Sequence, residues 1–126
     1  MHAVYVRRRV VALLTLGLVV TVVAVAVGGA CAGESAGPVL RRALASRFDD
    51  YDLPLACGGV LGVHQQGVAN KTLPCGTMVT IAYRGRTVRV PVIDRGPYVG
   101  DREFDLAGAT ANALRFQGVH TIRVAP

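Results

Sequence analysis

Tryptophan is absent from the 126 residues, lysine occurs once, at Lys71, and the aromatic side chains are four tyrosines and three phenylalanines. Histidine is scarce too: past the first residues only His64 and His120 remain. Two histidines that far apart, beside cysteines better matched to each other, make no metal set, and no cofactor is expected. Acidic residues are few, and the formal charge is +6. Three of the arginines, Arg7, Arg8 and Arg9, sit in the first 30 residues, which hold no acid. Removing them leaves 6 − 3 = +3 for the rest, too mild a balance to argue for nucleic acid. It fits a neighbourhood of anionic wall polymer or membrane surface. Strand–helix repetition is missing as well, which argues against a parallel doubly wound sheet.

The long apolar run that the rest of the chain lacks is all at the front. Residues 10–27 carry no charge and are mostly Val, Leu and Ala. As a helix they would span ~27 Å, near the ~30 Å of bilayer hydrocarbon. With three arginines before and Gly28, Gly29 and Ala30 after, residues 1–30 read as a signal peptide or a membrane anchor. The arginines hold the front end in the cytoplasm and place the remainder outside. Cys31, in GGAC, is a lipidation candidate; ordinary cleavage there and a retained anchor are the alternatives. Residues 31–45 form a linker in which VLRRALA fits one or two helical turns, and residues 46–126 form the folded domain. About 80 residues allow one small core. Cys57 and Cys75 flank a polar segment and suit a disulfide in an exported domain, worth roughly 3 kcal/mol if it acts by chain entropy.

Within that domain the hydrophobic pattern has period two. Val79, Ile81 and Tyr83 alternate, Arg84-Gly85 reverses the chain, and Val88, Val90 and Val92 alternate again. This is a β-hairpin. Pro91 has no N–H to give a ladder, so an edge or a bulge is expected there. Residues 107–117 are alanine-rich with helical spacing, Gly118 is the expected C-cap, and a last strand follows over residues 119–124.

Chemistry concentrates where the second hairpin strand stops, in VPVIDRGPYV. Asp94 ends the strand and Arg95-Gly96-Pro97 turns it. Such a carboxylate either accepts backbone N–H bonds and fixes the loop or acts on a ligand. Asp105, in FDL, either lines a groove or caps the following helix. Asn70 is able to hydrogen-bond a ligand but not to shuttle protons, and equally suits a turn. Tyr98, just past the Asp94 loop, offers a ring to a ligand. Arg95, if turned towards Asp94, would keep that carboxylate ionised. Arg84, Arg86 and Arg89 either meet acidic polymer or simply face solvent.

Three fragments occur in order: GVANKTLPCGTMVTI, VPVIDRGPYV, and EFDLAGATANAL followed by a last strand. Together they resemble the rare-lipoprotein-A-like double-psi β-barrel family, related to the barrel domain of expansins. The resemblance implies a mainly β fold: a small six-stranded barrel with one short helix and a polysaccharide groove, here preceded by the N-terminal signal or transmembrane helix. It implies a cell-wall role on the outer side of the membrane, with peptidoglycan glycan strands or a related wall polysaccharide as partner. Catalytic members use three positions: an aspartate that matches Asp94, a histidine whose place is taken by Asn70, and a glutamate whose place is taken by Gly59. Asp94 is thus the catalytic candidate, with Asn70, Tyr98, Asp105 and Arg95 as candidate substrate contacts. The rival expectations are a non-catalytic, expansin-like polysaccharide-binding or wall-loosening module and a surface barrel that binds protein.

Overall fold

The computed structural model describes residues 36–126. The signal or anchor expected at residues 1–30 and the lipidation candidate Cys31 lie outside the described residues. Six strands, β1 (Arg41–Phe48), β2 (Val68–Asn70), β3 (Met78–Tyr83), β4 (Arg86–Asp94), β5 (Phe104–Ala107) and β6 (His120–Ala125), and one helix, α1 (Gly108–Leu114), make up the unit. The strands close into a barrel in the order β1-β5-β2-β4-β3-β6. Two neighbouring pairs, β1–β5 and β2–β4, run parallel, and the other four are antiparallel. This is the mainly β six-stranded double-psi barrel with one short helix.

The hairpin forms as its alternation dictates. Val79, Ile81 and Tyr83 of β3 pack inward with Val90 and Val92 of β4, in register from Met78↔Pro91 to Tyr83↔Arg86. Phe104, Leu106, Leu114, Phe116, Ile122 and Val124 fill the same core. A smaller cluster of Leu55, Leu61, Ile93 and Ala107 lies under the long loop between β1 and β2. Gly67 makes room for it: a Cβ there would stand 2.5 Å from the Ile93 side chain.

Three local expectations change. The stretch read as linker with helical turns is strand from Arg41, because β1 pairs with β5 on one side and β6 on the other. These two ladders outweigh the weak helical preference of LRRALA, and the barrel starts before residue 46. Helix α1 stops at Leu114, short of residue 117. Arg115 takes the left-handed conformation (φ 53°) and the Phe116 N–H closes back on the Ala111 carbonyl at 2.8 Å. That turn sends Phe116 into the core, fully buried. Pro91 sits opposite Met78 in an unbroken ladder, and the irregularity lies further along β4, beyond Val92.

Candidate functional site

The irregularity in β4 builds the site. Val68 of β2 pairs with Val92, but the next residue, Ala69, pairs with Asp94, so Ile93 is left over as a bulge. Strict alternation from Val88, Val90 and Val92 would send Asp94 into the core. The extra residue re-aims it to the face of Ala69 instead. Ala69 pairs on its other side with Asp105, and Asp105 with Ser46. Residues level across a sheet point the same way, so Ser46, Asp105, Ala69 and Asp94 form one row across four strands. Two strand spacings put the Asp94 and Asp105 backbones roughly 10 Å apart, with only the methyl of Ala69 between them.

One oxygen of Asp94 is committed. Its Oδ1 accepts the N–H of Ala56 and of Arg95, both at 2.8 Å. These bonds tie the β1–β2 loop to the end of β4, with the Cys57 N–H adding a bond to the Ile93 carbonyl at 3.3 Å. Among the described residues Oδ2 has no hydrogen-bond partner, and the carboxylate is half-buried. Asp105 is held differently. Its Oδ1 accepts the Ser46 hydroxyl at 2.8 Å. Burial pushes its carboxyl above the ordinary aspartate range; Ser46 and Arg102 oppose that, while Asp50 and Asp94 reinforce it. Asp105 is not the helix cap. Ala107 occupies that position with no side-chain cap, and pairing on both sides keeps Asp105 in β5.

The other candidates mostly hold backbone. Asn70 is buried, and its Oδ1 accepts the N–H of Thr72 and of Leu73, while its Nδ2 donates to the Glu103 carbonyl. An amide spent this way fixes the KTLP turn. Arg95 turns away from Asp94: its guanidinium donates to the carbonyls of Asn70 and Leu73, at 3.2 and 2.8 Å. The Cys57–Cys75 disulfide joins the β1–β2 loop to the same turn, with Cα atoms 5.6 Å apart. Tyr98 is 75% exposed on the loop after Asp94, the most open ring near the site. Gly59 is exposed at φ 73°, with open space where a side chain would stand. His64 is exposed, and His120 packs on Tyr83 and Phe116 elsewhere in the barrel. Among the described residues no three metal-ligating side chains converge.

Sequence reasoning missed Ser46 and Ala69. Small residues carry no chemical signature, and only the register places them beside the carboxylates. A cleft of about 380 Å³ lies beside Asn70, bordered by Lys71, Thr72, Asp101 and Arg102, and one of about 550 Å³ takes in Ser46 at the end of the row. A larger one, about 820 Å³, lies on another wall and takes no part in the Asp94 site.

Comparison with known proteins is consistent with this geometry. The family described as lytic transglycolase matches residues 41–125. The chain is 37% identical over 73 residues to the "probable endolytic peptidoglycan transglycosylase RlpA" of Treponema pallidum (strain Nichols), covering 56% of this chain and 23% of that protein. A protein of the same name from Aquifex aeolicus (strain VF5) is 43% identical over 53 residues, 40% of this chain and 24% of that one. The chain therefore spans about a quarter of the length of these relatives. Among solved structures, "Streptomyces papain inhibitor (SPI)" superposes with a TM-score of 0.51 at 27% identity, over 71% of this chain and 98% of the inhibitor. The apo expansin of Clavibacter michiganensis shares the fold, with a TM-score of 0.55 at 20% identity over 68% of this chain and 49% of that one.

Proposed function

We propose a function from one premise: the chain belongs to the lytic transglycolase family of double-psi β-barrels. Its groove, along the row from Ser46 to Asp94, binds the glycan strand of peptidoglycan at the outer face of the membrane, and Asp94 is the acid/base of a lytic-transglycosylase-type cut. The observation that carries this reading is the Asp94 carboxylate itself. The β4 bulge turns it outward, two backbone N–H groups hold one oxygen still, and the other oxygen has no partner among the described residues.

Cleaving a glycosidic bond requires protonation of the leaving oxygen and relief of the positive charge that develops on the sugar. In a lytic cut the sugar's own 6-hydroxyl attacks the anomeric carbon. Asp94 gives its proton to the leaving oxygen and then takes the hydroxyl proton, so no water is consumed. Asp105, across Ala69, supplies a second carboxyl group, whose burial strengthens its hold on a proton. Tyr98 offers a stacking face for a neighbouring sugar.

A second reading is favoured by Gly59 and Asn70. Gly59 brings no carboxylate, and the Asn70 amide is fully engaged by backbone. On this reading the barrel holds wall polysaccharide without cutting it, or serves as a protein ligand. The near full-length match to the papain inhibitor supports the latter.

Digestion of purified peptidoglycan sacculi by the full chain separates these readings, with mass spectrometry for anhydro-sugar products. Products that disappear in Asp94→Asn are expected; the asparagine Oδ1 still accepts the Ala56 and Arg95 N–H bonds, so the loop stays in place. Undiminished products in that variant would clear Asp94 of catalysis. Pelleting with sacculi but no products leaves a binding module. Neither result leaves the protein-ligand role.

A further inference from the structure

The 820 Å³ cleft centres on β6, with the start of β1 and the end of β3 beside it. In the ring β1-β5-β2-β4-β3-β6, β6 stands three places from β2 in either direction, so it forms the opposite wall. The cleft is lined by Arg42 of β1, Arg123, Thr121 and His120 of β6, and Tyr83 and Arg84 at the end of β3. Arg42 and Arg123 are direct cross-strand partners. Like charges placed opposite one another destabilise a sheet, and here no acid relieves them. The ion pairs among the described residues are Arg41 with Glu103 and Arg47 with Asp49, and neither touches this cleft. The guanidinium nitrogens of Arg42, Arg84 and Arg123 make no hydrogen bond among the described residues, though Arg84 lies 5.2 Å from the centre of the Tyr83 ring. Tyr83 is itself pinned by Phe116 and His120. Three planar donor forks thus surround a recess with a fixed aromatic side.

We propose that this cleft is an anion site for a linear polymer carrying repeated phosphate groups, bound independently of the groove. Guanidinium forks match phosphate oxygens in pairs, and three of them in one recess suit successive charges along a chain. The recess is concave. Arg42, Arg84 and Arg123 are exposed around it, so a strand laid along the recess can meet them in succession. A molecule with a glycan groove on one wall and an anion cleft on the other would link two components of the same envelope.

The test is binding of long-chain inorganic polyphosphate to the full chain, followed by fluorescence anisotropy over a range of salt. Arg42→Gln with Arg123→Gln should weaken binding at least tenfold at low salt. It should also lower the slope of log Kd against log salt by about two, one for each lost phosphate contact. The control is Arg86→Gln with Arg89→Gln, which removes the same charge from the hairpin outside the cleft and should cost less than threefold. Equal losses in both pairs would reduce the effect to net charge and overturn the site. So would a cleft pair that keeps polyphosphate but loses binding to phosphatidylglycerol vesicles, which would assign the wall to lipid. No measurable polyphosphate binding also overturns it. Sacculus binding should be unchanged with polyphosphate present; competition would merge the two sites and sink their independence.

Discussion

Two arginines show how differently the walls of this barrel use the same side chain. Arg95, on the groove wall, spends its guanidinium on two backbone carbonyls of the KTLP turn. Arg123, on the far wall, faces another arginine across a regular ladder and makes no ion pair among the described residues. The contrast follows from the backbone. Around Asp94 the chain leaves strand geometry, and its freed N–H and C=O groups must find partners. Asn70, Arg95 and one oxygen of Asp94 supply them, which leaves the second Asp94 oxygen for a ligand. On the β1–β6–β3 wall the ladders satisfy the backbone, so Arg42 and Arg123 are left without a hydrogen bond among the described residues. Sequence motifs in this fold therefore mark where the backbone needs help, and a free binding face can be motifless.

The comparison breaks most easily at Asn70. Asn70→Ala removes three backbone partners at once and leaves a buried vacancy, with an expected loss of roughly 2–3 kcal/mol. For a domain of this size that is a fall of about 10–20 °C in Tm by calorimetry. An unchanged Tm would mean that the turn holds itself. Asp105 gives a smaller effect of opposite sign. Its folded-state pKa lies above the ordinary 3.8, so the folded state favours its proton. That contribution is complete below the unfolded value and is lost as pH rises through the folded one. At pH 7 the ionised carboxylate is a burden, and Asp105→Asn should raise Tm there, the gain closing as pH falls towards 3. Thermal scans of both proteins across that range check it; a variant less stable at pH 7 would reverse the assignment. The smallest effect belongs to the far wall. Arg123→Gln should leave stability equal or raise it by less than about 0.5 kcal/mol at low salt, the difference fading in high salt. A clear loss would reveal a partner for Arg123 and close the cleft.

Much of the fold was legible. The hairpin of β3 and β4 announced itself by alternation, and the three ordered fragments pointed to the barrel that the family match supports. The first strand was not legible. LRRALASRF has neither strict alternation nor strand-rich composition, and it becomes β1 only because β5 and β6 stand on either side of it. At the site, VPVIDRGPYV pointed to Asp94, but the row around it depends on one bulged residue. A one-residue shift changes the face of everything after it, and no local pattern records that shift. From sequence Asp105 leaned slightly towards a helix cap over a groove residue, and its two-sided pairing in β5 rules out the cap.

Closure of the barrel through β1 and β6 has a temporal consequence. The first strand of the domain pairs with the last, from Arg41↔Val124 to Ala45↔His120. Until β6 has been made and has left the ribosome or a translocation pore, β1 lacks one of its two neighbours and the ring stays open. Such long-range pairing folds slowly. A barrel threaded through a membrane would thus remain unclosed, and passable, until β6 is across.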